Sequence, residues 1–267
     1  MDTISRAKEI RRNILKSINS FGVGHVGGCL SIADILAVLY EKHMRVDPKD
    51  PKKQGRDRFV LSKGHAGPAL YATLSSFGFF DESELLTLNK IGTHLPSHCN
   101  AVLTKGVDVS AGSLGQGISC AVGVAMASKL ADDGAHIYAI VGDGETQEGQ
   151  VWEAFSQAAF RKLDNLTVFI DNNGMQIDNV TDKILKMEDF EAKMKAFGFN
   201  TVRINGHDHK AIDDAINLAK SVKGVPTVII ADTVKGKGVS FYEQMGVGNH
   251  STNVTNEQLE KALAELH

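Results

Sequence analysis

Two oxygen-bearing side chains follow apolar runs and have the chemistry to bind a metal-bridged anion. Asp143 follows the run 137–141, and Asn173 follows the run 166–171. The two residues are 30 positions apart, the length of one strand–helix–strand unit, so we expect them at neighbouring strand ends. Carboxylate and amide oxygens are hard ligands that Mg²⁺ and Ca²⁺ prefer, and Mg²⁺ usually completes its shell with water and phosphate oxygens. This spacing favours a metal-bound diphosphate site over two unrelated turns.

The residues between these two positions support the same interpretation. Gly144 allows the backbone to approach an anion closely because it has no side chain. The helix predicted to start near Glu148 points its positive N-terminal end toward the same place. We therefore expect the turn after the first of these strands to hold the diphosphate.

An α/β fold with a mostly parallel sheet flanked by helices must position these residues. Apolar, β-branched runs alternate with helical periodicity, which is typical of strands buried on both faces. Ser31 followed by Asp34 resembles a capping box at the start of a helix. Strands are predicted at 59–61, 137–141, 166–171, 201–204 and 227–231, and helices at about 2–19, 33–44, 68–77, 82–88, 115–130, 150–160, 188–197 and 209–221, with a helical tail over the last 12 residues.

Composition narrows the function classes. The chain has 267 residues, of which 42% are hydrophobic and 23% are charged, as is typical of a globular protein. Its formal net charge is −3, so it lacks the excess of basic residues expected of a protein that coats nucleic acid. The three cysteines cannot all pair within the chain and predict reduced thiols. We see no membrane segment and no secretory signal, and expect a cytoplasmic protein.

A family resemblance joins these features. The segment GDGETQEGQVWEAF…LTVFIDNNGMQID resembles the thiamine diphosphate motif of transketolases. LSKGHAGPALYATL, SAGSLGQG, GHVGGCLS and TVKGKGVSFYE resemble further transketolase segments, so that the resemblance covers about residues 4–250. It implies a thiamine-diphosphate-binding fold in a single domain over 1–267. Family chains continue into a pyrimidine-binding domain, so we expect that domain on a separate chain and interpret this one as the N-terminal subunit of a split transketolase.

The resemblance assigns roles to individual residues. It implies Mg²⁺ binding by the side chains of Asp143 and Asn173 and the carbonyl of Met175, with Ca²⁺ or Mn²⁺ as substitutes. It places Glu148 in a hydrogen-bond network that links cofactor sites across the interface. The residues implied to bind thiamine diphosphate are His65, Gly112, Ser113, Leu114, Gly142, Asp143, Gly144, Glu145, Asn173 and His250.

Four of the ten histidines lie in these motifs and are implied to be catalytic. Imidazole titrates near neutral pH and both nitrogens can hydrogen-bond, which suits proton transfer at sugar hydroxyls. The resemblance assigns contact with the first hydroxyl of the donor sugar to His98, with His94 as the alternative. The four histidines are His25, His65, His98 and His250.

Two further pairs of positions carry expectations of their own. Ser113 and Val26 stand where the family has proline, which loosens the local backbone. Lys235 and Lys237 lie among glycines near the predicted site; contact with phosphate is possible, but we interpret both as solvated lysines.

The implied activity is transfer of a two-carbon ketol unit from a ketose to an aldose, as in the pentose phosphate pathway. The family's glutamate that activates the cofactor lies in the pyrimidine domain, so we expect negligible turnover from this chain alone and an α₂β₂ heterotetramer with a C-terminal subunit. Two alternatives stay open: the N-terminal half of another thiamine diphosphate enzyme, such as a deoxyxylulose-phosphate synthase-like protein, and a non-catalytic scaffold subunit.

Overall fold

Five parallel strands form the centre of the computed structural model, which describes residues 1–267. The five strands are β2 (Arg58–Leu61), β3 (Ile137–Gly142), β4 (Leu166–Asn172), β5 (Asn200–Asn205) and β6 (Thr227–Asp232). The order across the sheet is β2-β3-β4-β6-β5. Every residue of β3 is buried, because helices cover both faces of the sheet.

The predicted α/β fold with a parallel sheet is confirmed, and the register of β3 and β4 brings their carboxyl ends together. Gly142 pairs with Asp171 at the last step of that ladder. The residues that follow, Asp143 and Asn173, therefore leave the sheet at the same edge. The predicted juxtaposition of these two strand ends is thus observed.

Eleven helices surround the sheet. The first begins at the N-cap Asp2, whose side chain accepts a hydrogen bond from the Ser5 amide, and ends at Gly22, whose φ of 100° suits glycine. The helices are α1 (Thr3–Phe21), α2 (Val26–Leu30), α3 (Ala33–Val38), α4 (Gly67–Ser76), α5 (Gln116–Ala131), α6 (Gly149–Phe160), α7 (Thr181–Ile184), α8 (Phe190–Ala196), α9 (His209–Ser221), α10 (Ser240–Gln244) and α11 (Asn256–Glu265).

Two hydrophobic layers hold the helices to the sheet. Alternate residues of β3 enter opposite layers: Tyr138 and Ile140 join the layer with α1, α3, α4 and α9. Ala139 and Val141 join the layer with α5, α6 and α8. None of the helices is both long and apolar enough to cross a bilayer.

The prediction for 33–44 is wrong in two respects. The α-helix ends at Val38 and a π-helical turn continues over Leu39–His43. The N-cap is Ile32, with no side-chain cap, because the Ser31 hydroxyl donates instead to Asp171 at 2.8 Å. A tertiary hydrogen bond has replaced the local one.

Other differences are smaller. The helix predicted over 82–88 is a 3-10 turn, Glu82–Thr87, with Asp81 as its capping residue. The prediction omitted the short helices α2, α7 and α10. It also omitted an antiparallel pair, β1 (Val23–Gly24) with β7 (Thr252–Asn253), which ties the segment before His25 to the segment after His250.

Candidate active site

A cavity of about 300 Å³ lies at the carboxyl edge of the sheet. Its walls come from the segments after β2, β3, β4 and β6, together with α2 and the loop before α5. Of the residues predicted to act in catalysis or in cofactor or metal binding, those lining the cavity are His25, His65, His98, Gly112, Leu114, Gly142, Asp143, Gly144, Glu145, Asn173, Met175 and His250.

Asp143 is a buried carboxylate in the cavity wall, only 2% exposed. Its oxygens accept from the amides of Gly144 (2.8 Å) and Gly174 (2.7 Å) and from the Thr181 hydroxyl (3.0 Å). No basic side chain lies within 4.0 Å of it. Burial, and then the nearby charge of Asp171, raise its pKa to about 6. A bound cation would offset this cost, so the site has the electrostatics of a metal ligand.

The other two predicted metal ligands lie on the turn after β4. The Asn173 side-chain oxygen accepts from the Met175 amide at 3.1 Å, and its nitrogen donates to Asp171 at 2.9 Å. No cluster of three or more histidine, cysteine, aspartate or glutamate side chains is arranged to hold a metal. A carboxylate, an amide oxygen and a carbonyl fit Mg²⁺ only with ligand oxygens added, which matches a metal held partly by diphosphate.

A second buried aspartate beside Asp143 has the opposite charge environment. Asp171 accepts from Lys63 Nζ at 2.6 Å and from the hydroxyls of Ser31 and Thr233. Burial by itself would raise the pKa of Asp171, but the Lys63 ammonium and these hydrogen bonds hold it below its usual value. The charge of Asp171 is thus already compensated by Lys63, and Asp143 is the carboxylate available to bind a metal.

The four predicted histidines converge on the same cavity as Asp143. The ring centroid of His25 lies 5.3 Å from those of His65 and His250 and 5.6 Å from that of His98. Burial is the main cause of the lowered pKa of His25, His65 and His250, and Lys235 adds to it in each case. The pKa of His250 falls to about 3. These three imidazoles are therefore neutral at neutral pH.

The prediction that Lys235 is exposed to solvent is wrong. The residue is 3% exposed, lines the cavity, and places Nζ 3.0 Å from His250 Nδ1 and 3.4 Å from the Met175 carbonyl. Burial and then Lys63 lower its pKa to about 8. Lys237 agrees better with the prediction: its side chain is 37% exposed, 3.8 Å from Glu243.

Glu145 lines the cavity, but its carboxylate binds within the protein. It accepts from the Ser62 hydroxyl (2.5 Å) and from the amides of Gly115 (2.9 Å) and Gly142 (3.0 Å). It therefore joins the ends of β2 and β3 to the start of α5. Its predicted contact with the cofactor stays a prediction; in this structure the carboxylate holds the cavity wall together.

Two predicted residues lie outside the cavity. Ser113 is exposed in a shallow depression beside His98. Glu148 is exposed at the N-cap of α6 and does not line the cavity. Its role at an interface stays a prediction. His94 pairs with Glu84 away from the cavity, and His98 is the histidine that enters it.

Sequence reasoning missed Lys63, Asp171 and the buried position of Lys235. Lys63 comes two residues after β2 and Lys235 three residues after β6. The rule that ligands bind beyond the carboxyl ends of parallel strands would have indicated both, had it been applied to every strand.

Comparison with known proteins agrees with this geometry. A family model described as the thiamine diphosphate binding domain of transketolase matches residues 4–266. The 6-deoxy-6-sulfo-D-fructose transketolase subunit SqwG of Clostridium sp. (strain MSTE9) is 47% identical over 266 residues, covering 100% of this chain and 96% of that protein. An apulose-4-phosphate transketolase subunit of Phocaeicola vulgatus is 36% identical over 264 residues, covering 98% of this chain and 92% of that protein.

A solved structure shows the same fold. The transketolase from Leishmania mexicana superposes with a TM-score of 0.95 at 30% identity. The superposition covers 100% of this chain but 41% of that one, so the chain spans well under half the length of that transketolase.

Proposed function

We propose, from the premise that this chain belongs to the transketolase family through its thiamine diphosphate-binding domain, that it is the diphosphate-binding subunit of a split transketolase. The observation that carries the proposal is the convergence of four histidines on a cavity whose floor holds Asp143 and Asn173. A scaffold subunit that had kept only the fold would not need both the four histidines and the pair of metal-ligand side chains.

The cavity fits the cofactor and a metal. We propose that Asp143, Asn173 and the Met175 carbonyl hold Mg²⁺, and that Lys235 and the backbone at Gly144 receive the diphosphate. Thiamine diphosphate, when bound, supplies the carbon nucleophile and the electron sink needed to cleave a ketose between C2 and C3.

The neutral histidines would move protons at the sugar. Lys235 has no acceptor, so the 3.0 Å contact makes His250 Nδ1 the acceptor and leaves the proton on Nε2. His250 can then donate toward a developing oxyanion, while neutral His25 can accept a hydroxyl proton. His98 lines the same cavity, 5.6 Å from His25 between ring centroids, and we propose that it contacts a hydroxyl of the donor.

We infer that a partner chain completes the site. Both relatives compared above are designated subunits. In our proposal this chain is a single domain, and the partner carries the pyrimidine-binding domain with the activating glutamate, in an α₂β₂ assembly. The exposed position of Glu148 agrees with a role at the contact between chains.

The donor is proposed to be a ketose with an anionic end. The relative at 47% identity is named for 6-deoxy-6-sulfo-D-fructose, a sulfonated ketose, and we propose this as the first donor to test. Xylulose 5-phosphate, the donor of the pentose phosphate pathway, is the second.

The deciding experiment is a two-carbon transfer assay with thiamine diphosphate and Mg²⁺. This chain would be tested alone and co-expressed with the product of the neighbouring reading frame, with each donor and an aldose phosphate acceptor. We expect activity only from the pair. Full activity from the chain alone would refute the split-enzyme proposal, and consumption of pyruvate would indicate the deoxyxylulose-phosphate synthase-like alternative.

A substitution separates enzyme from scaffold. Asp143→Asn in the active pair should lose nearly all activity, because the amide cannot supply the charge that the metal needs. Asp214→Asn, the same change on a surface aspartate paired with Lys210, is the control and should keep it. A scaffold would keep its partner function in both variants.

A further inference from the structure

A buried polar cluster lies behind the cavity, around Asp34 of α3. The residue is 5% exposed. Arg11 of α1 donates to both of its oxygens, at 2.9 and 2.6 Å. His207 and His209 contact it at 2.7 and 3.0 Å. Three helices and the loop after β5 thus meet at one carboxylate.

His207 has a defined tautomer in this cluster. The Val234 amide donates to its Nε2 at 2.8 Å, so Nε2 must be the unprotonated nitrogen. The proton therefore resides on Nδ1, which donates to Asp34. A carboxylate that accepts a hydrogen bond from Nδ1–H is a common way to fix an imidazole in one tautomer and orientation.

The segment that His207 holds leads directly into the cavity. Val234 precedes Lys235, whose ammonium lies 3.0 Å from His250 Nδ1. The segment is also held by backbone bonds, Thr233 to Asn172 at 3.2 Å and Gly236 to Gly27 at 3.1 Å. The Thr233 hydroxyl donates to Asp171, and the Asn249 side chain donates to the Lys235 carbonyl at 3.0 Å. His207 Nε2 is the side-chain acceptor for the amide of Val234, the residue immediately before the lysine.

We propose that His207 is a positioning residue for the cavity. Its Nε2 holds the Val234 amide and thereby sets where the Lys235 ammonium lies beside His250, while Asp34 keeps Nε2 free to accept. The effect on cofactor binding rests on the proposed function; the hydrogen bond itself does not.

Two substitutions at position 207 separate the two nitrogens. Gln places an acceptor oxygen where Nε2 was, and Asn places a donor where Nδ1 was. His207→Gln can keep the bond to Val234, whereas His207→Asn can keep only the bond to Asp34. His209→Asn is the matched control, because His209 contacts Asp34 through Nε2 and Thr3 through Nδ1 but does not touch the Val234 segment.

The first test is titration calorimetry of this chain, co-expressed with its partner, with thiamine diphosphate and Mg²⁺ as ligands. We expect His207→Asn to bind about 3- to 10-fold more weakly, the range of one lost hydrogen bond. His207→Gln and His209→Asn should stay within about 2-fold of wild type. If all three weaken equally, or if His207→Gln is as weak as His207→Asn, the cluster is only structural and the proposal is overturned.

The second test does not depend on the cofactor. NMR spectra of the chain labelled with ¹⁵N-histidine and ¹⁵N-valine should show His207 protonated at Nδ1 and the Val234 amide protected from exchange. That amide should exchange at least 10-fold faster in His207→Asn than in His209→Asn. An Nε2-protonated His207, or equal exchange, would refute the positioning role. If the wild-type pair binds no cofactor but these signals are observed, the proposed function fails and the positioning role stands.

Discussion

Two aspartates at neighbouring strand ends differ because of one lysine. Lys63 lies 2.6 Å from Asp171, and both side chains are almost fully buried. Asp143 has no such partner, and its pKa rises to about 6 while that of Asp171 falls. Residue type alone does not separate their roles; the position of the lysine does.

Replacing this lysine tests the buried pair. Lys63→Met leaves Asp171 charged and uncompensated, so we expect the free energy of unfolding to fall by about 3–5 kcal/mol. Lys237→Met removes a partly exposed lysine and should change the free energy of unfolding by no more than about 0.5 kcal/mol. Urea denaturation at neutral pH would measure both. A loss below about 1 kcal/mol for Lys63→Met would show that the pair does not hold Asp171 ionised.

The neutral histidines predict how stability depends on pH. The pKa of His65 and of His250 is lower in the folded chain than the unfolded value of about 6.5. Below that pH the unfolded chain binds more protons, so the free energy of unfolding falls as the pH decreases from about 6.5. Each group contributes at most about 1.4 kcal/mol per pH unit, and partial exposure reduces this.

His250→Gln should therefore show a shallower decrease than wild type. Urea denaturation of the isolated chain between pH 7.5 and 5.5 would measure it. Equal slopes for the two proteins would mean that His250 titrates alike in the folded and unfolded chains.

At the scale of elements, the start of α5 closes against the end of β2. A Cβ on Gly117 would lie 2.6 Å from the Ser62 Cα, which no real Cβ tolerates. The Ser62 hydroxyl also accepts from the Ile118 amide at 2.9 Å and donates to Glu145. This approach joins two segments of the cavity wall, and only glycine permits it.

Two glycines on the same helix provide a matched test. Gly117→Ala should destabilise the chain by about 1–3 kcal/mol, because backbone must move to admit the methyl group. Gly123→Ala meets nothing within 4 Å and should stabilise it by about 0.5–1 kcal/mol. Thermal or urea denaturation of the isolated chain would measure the stability change of both variants. A neutral Gly117→Ala would contradict the close approach.

At the scale of the whole molecule, the cavity exists only when distant segments meet. His25 and His250 lie near opposite ends of the sequence, yet their ring centroids are 5.3 Å apart. The β1–β7 pair lies next to both residues along the chain. A ligand that binds this assembled cavity binds the folded chain and not the unfolded one, so it must stabilise the fold.

Cofactor and metal should therefore raise stability together. At 100 times the dissociation constant, thiamine diphosphate with Mg²⁺ should add about 2.7 kcal/mol to the free energy of unfolding. Chelation of the metal with EDTA should remove most of this gain. Thiamine without its diphosphate, at the same concentration, is the control and should add little. Equal stabilisation with and without metal would contradict a metal-bridged diphosphate.

Local patterns were enough to predict most of the fold. The strand runs are apolar along their whole length, so β3 and β4 end within one residue of their predicted ends. The spacing from Asp143 to Asn173 predicted their meeting because this strand–helix–strand unit returns to the adjacent strand position. Motif resemblance predicted the histidines, whose convergence the fold then produced.

Predictions failed where a side chain binds across the fold. Ser31 was expected to cap its own helix but donates to Asp171, 140 residues away. Lys235 was expected in solvent but lies buried beside His250.

The sequence by itself determined the sheet, its carboxyl edge and the residue types gathered there, because strand periodicity and turn chemistry act over short distances. Only the tertiary structure decided which buried carboxylate is paired, which lysine faces the cavity and which tautomer His207 adopts. Those outcomes depend on burial and on charges from remote segments, and neither has a signature in neighbouring residues.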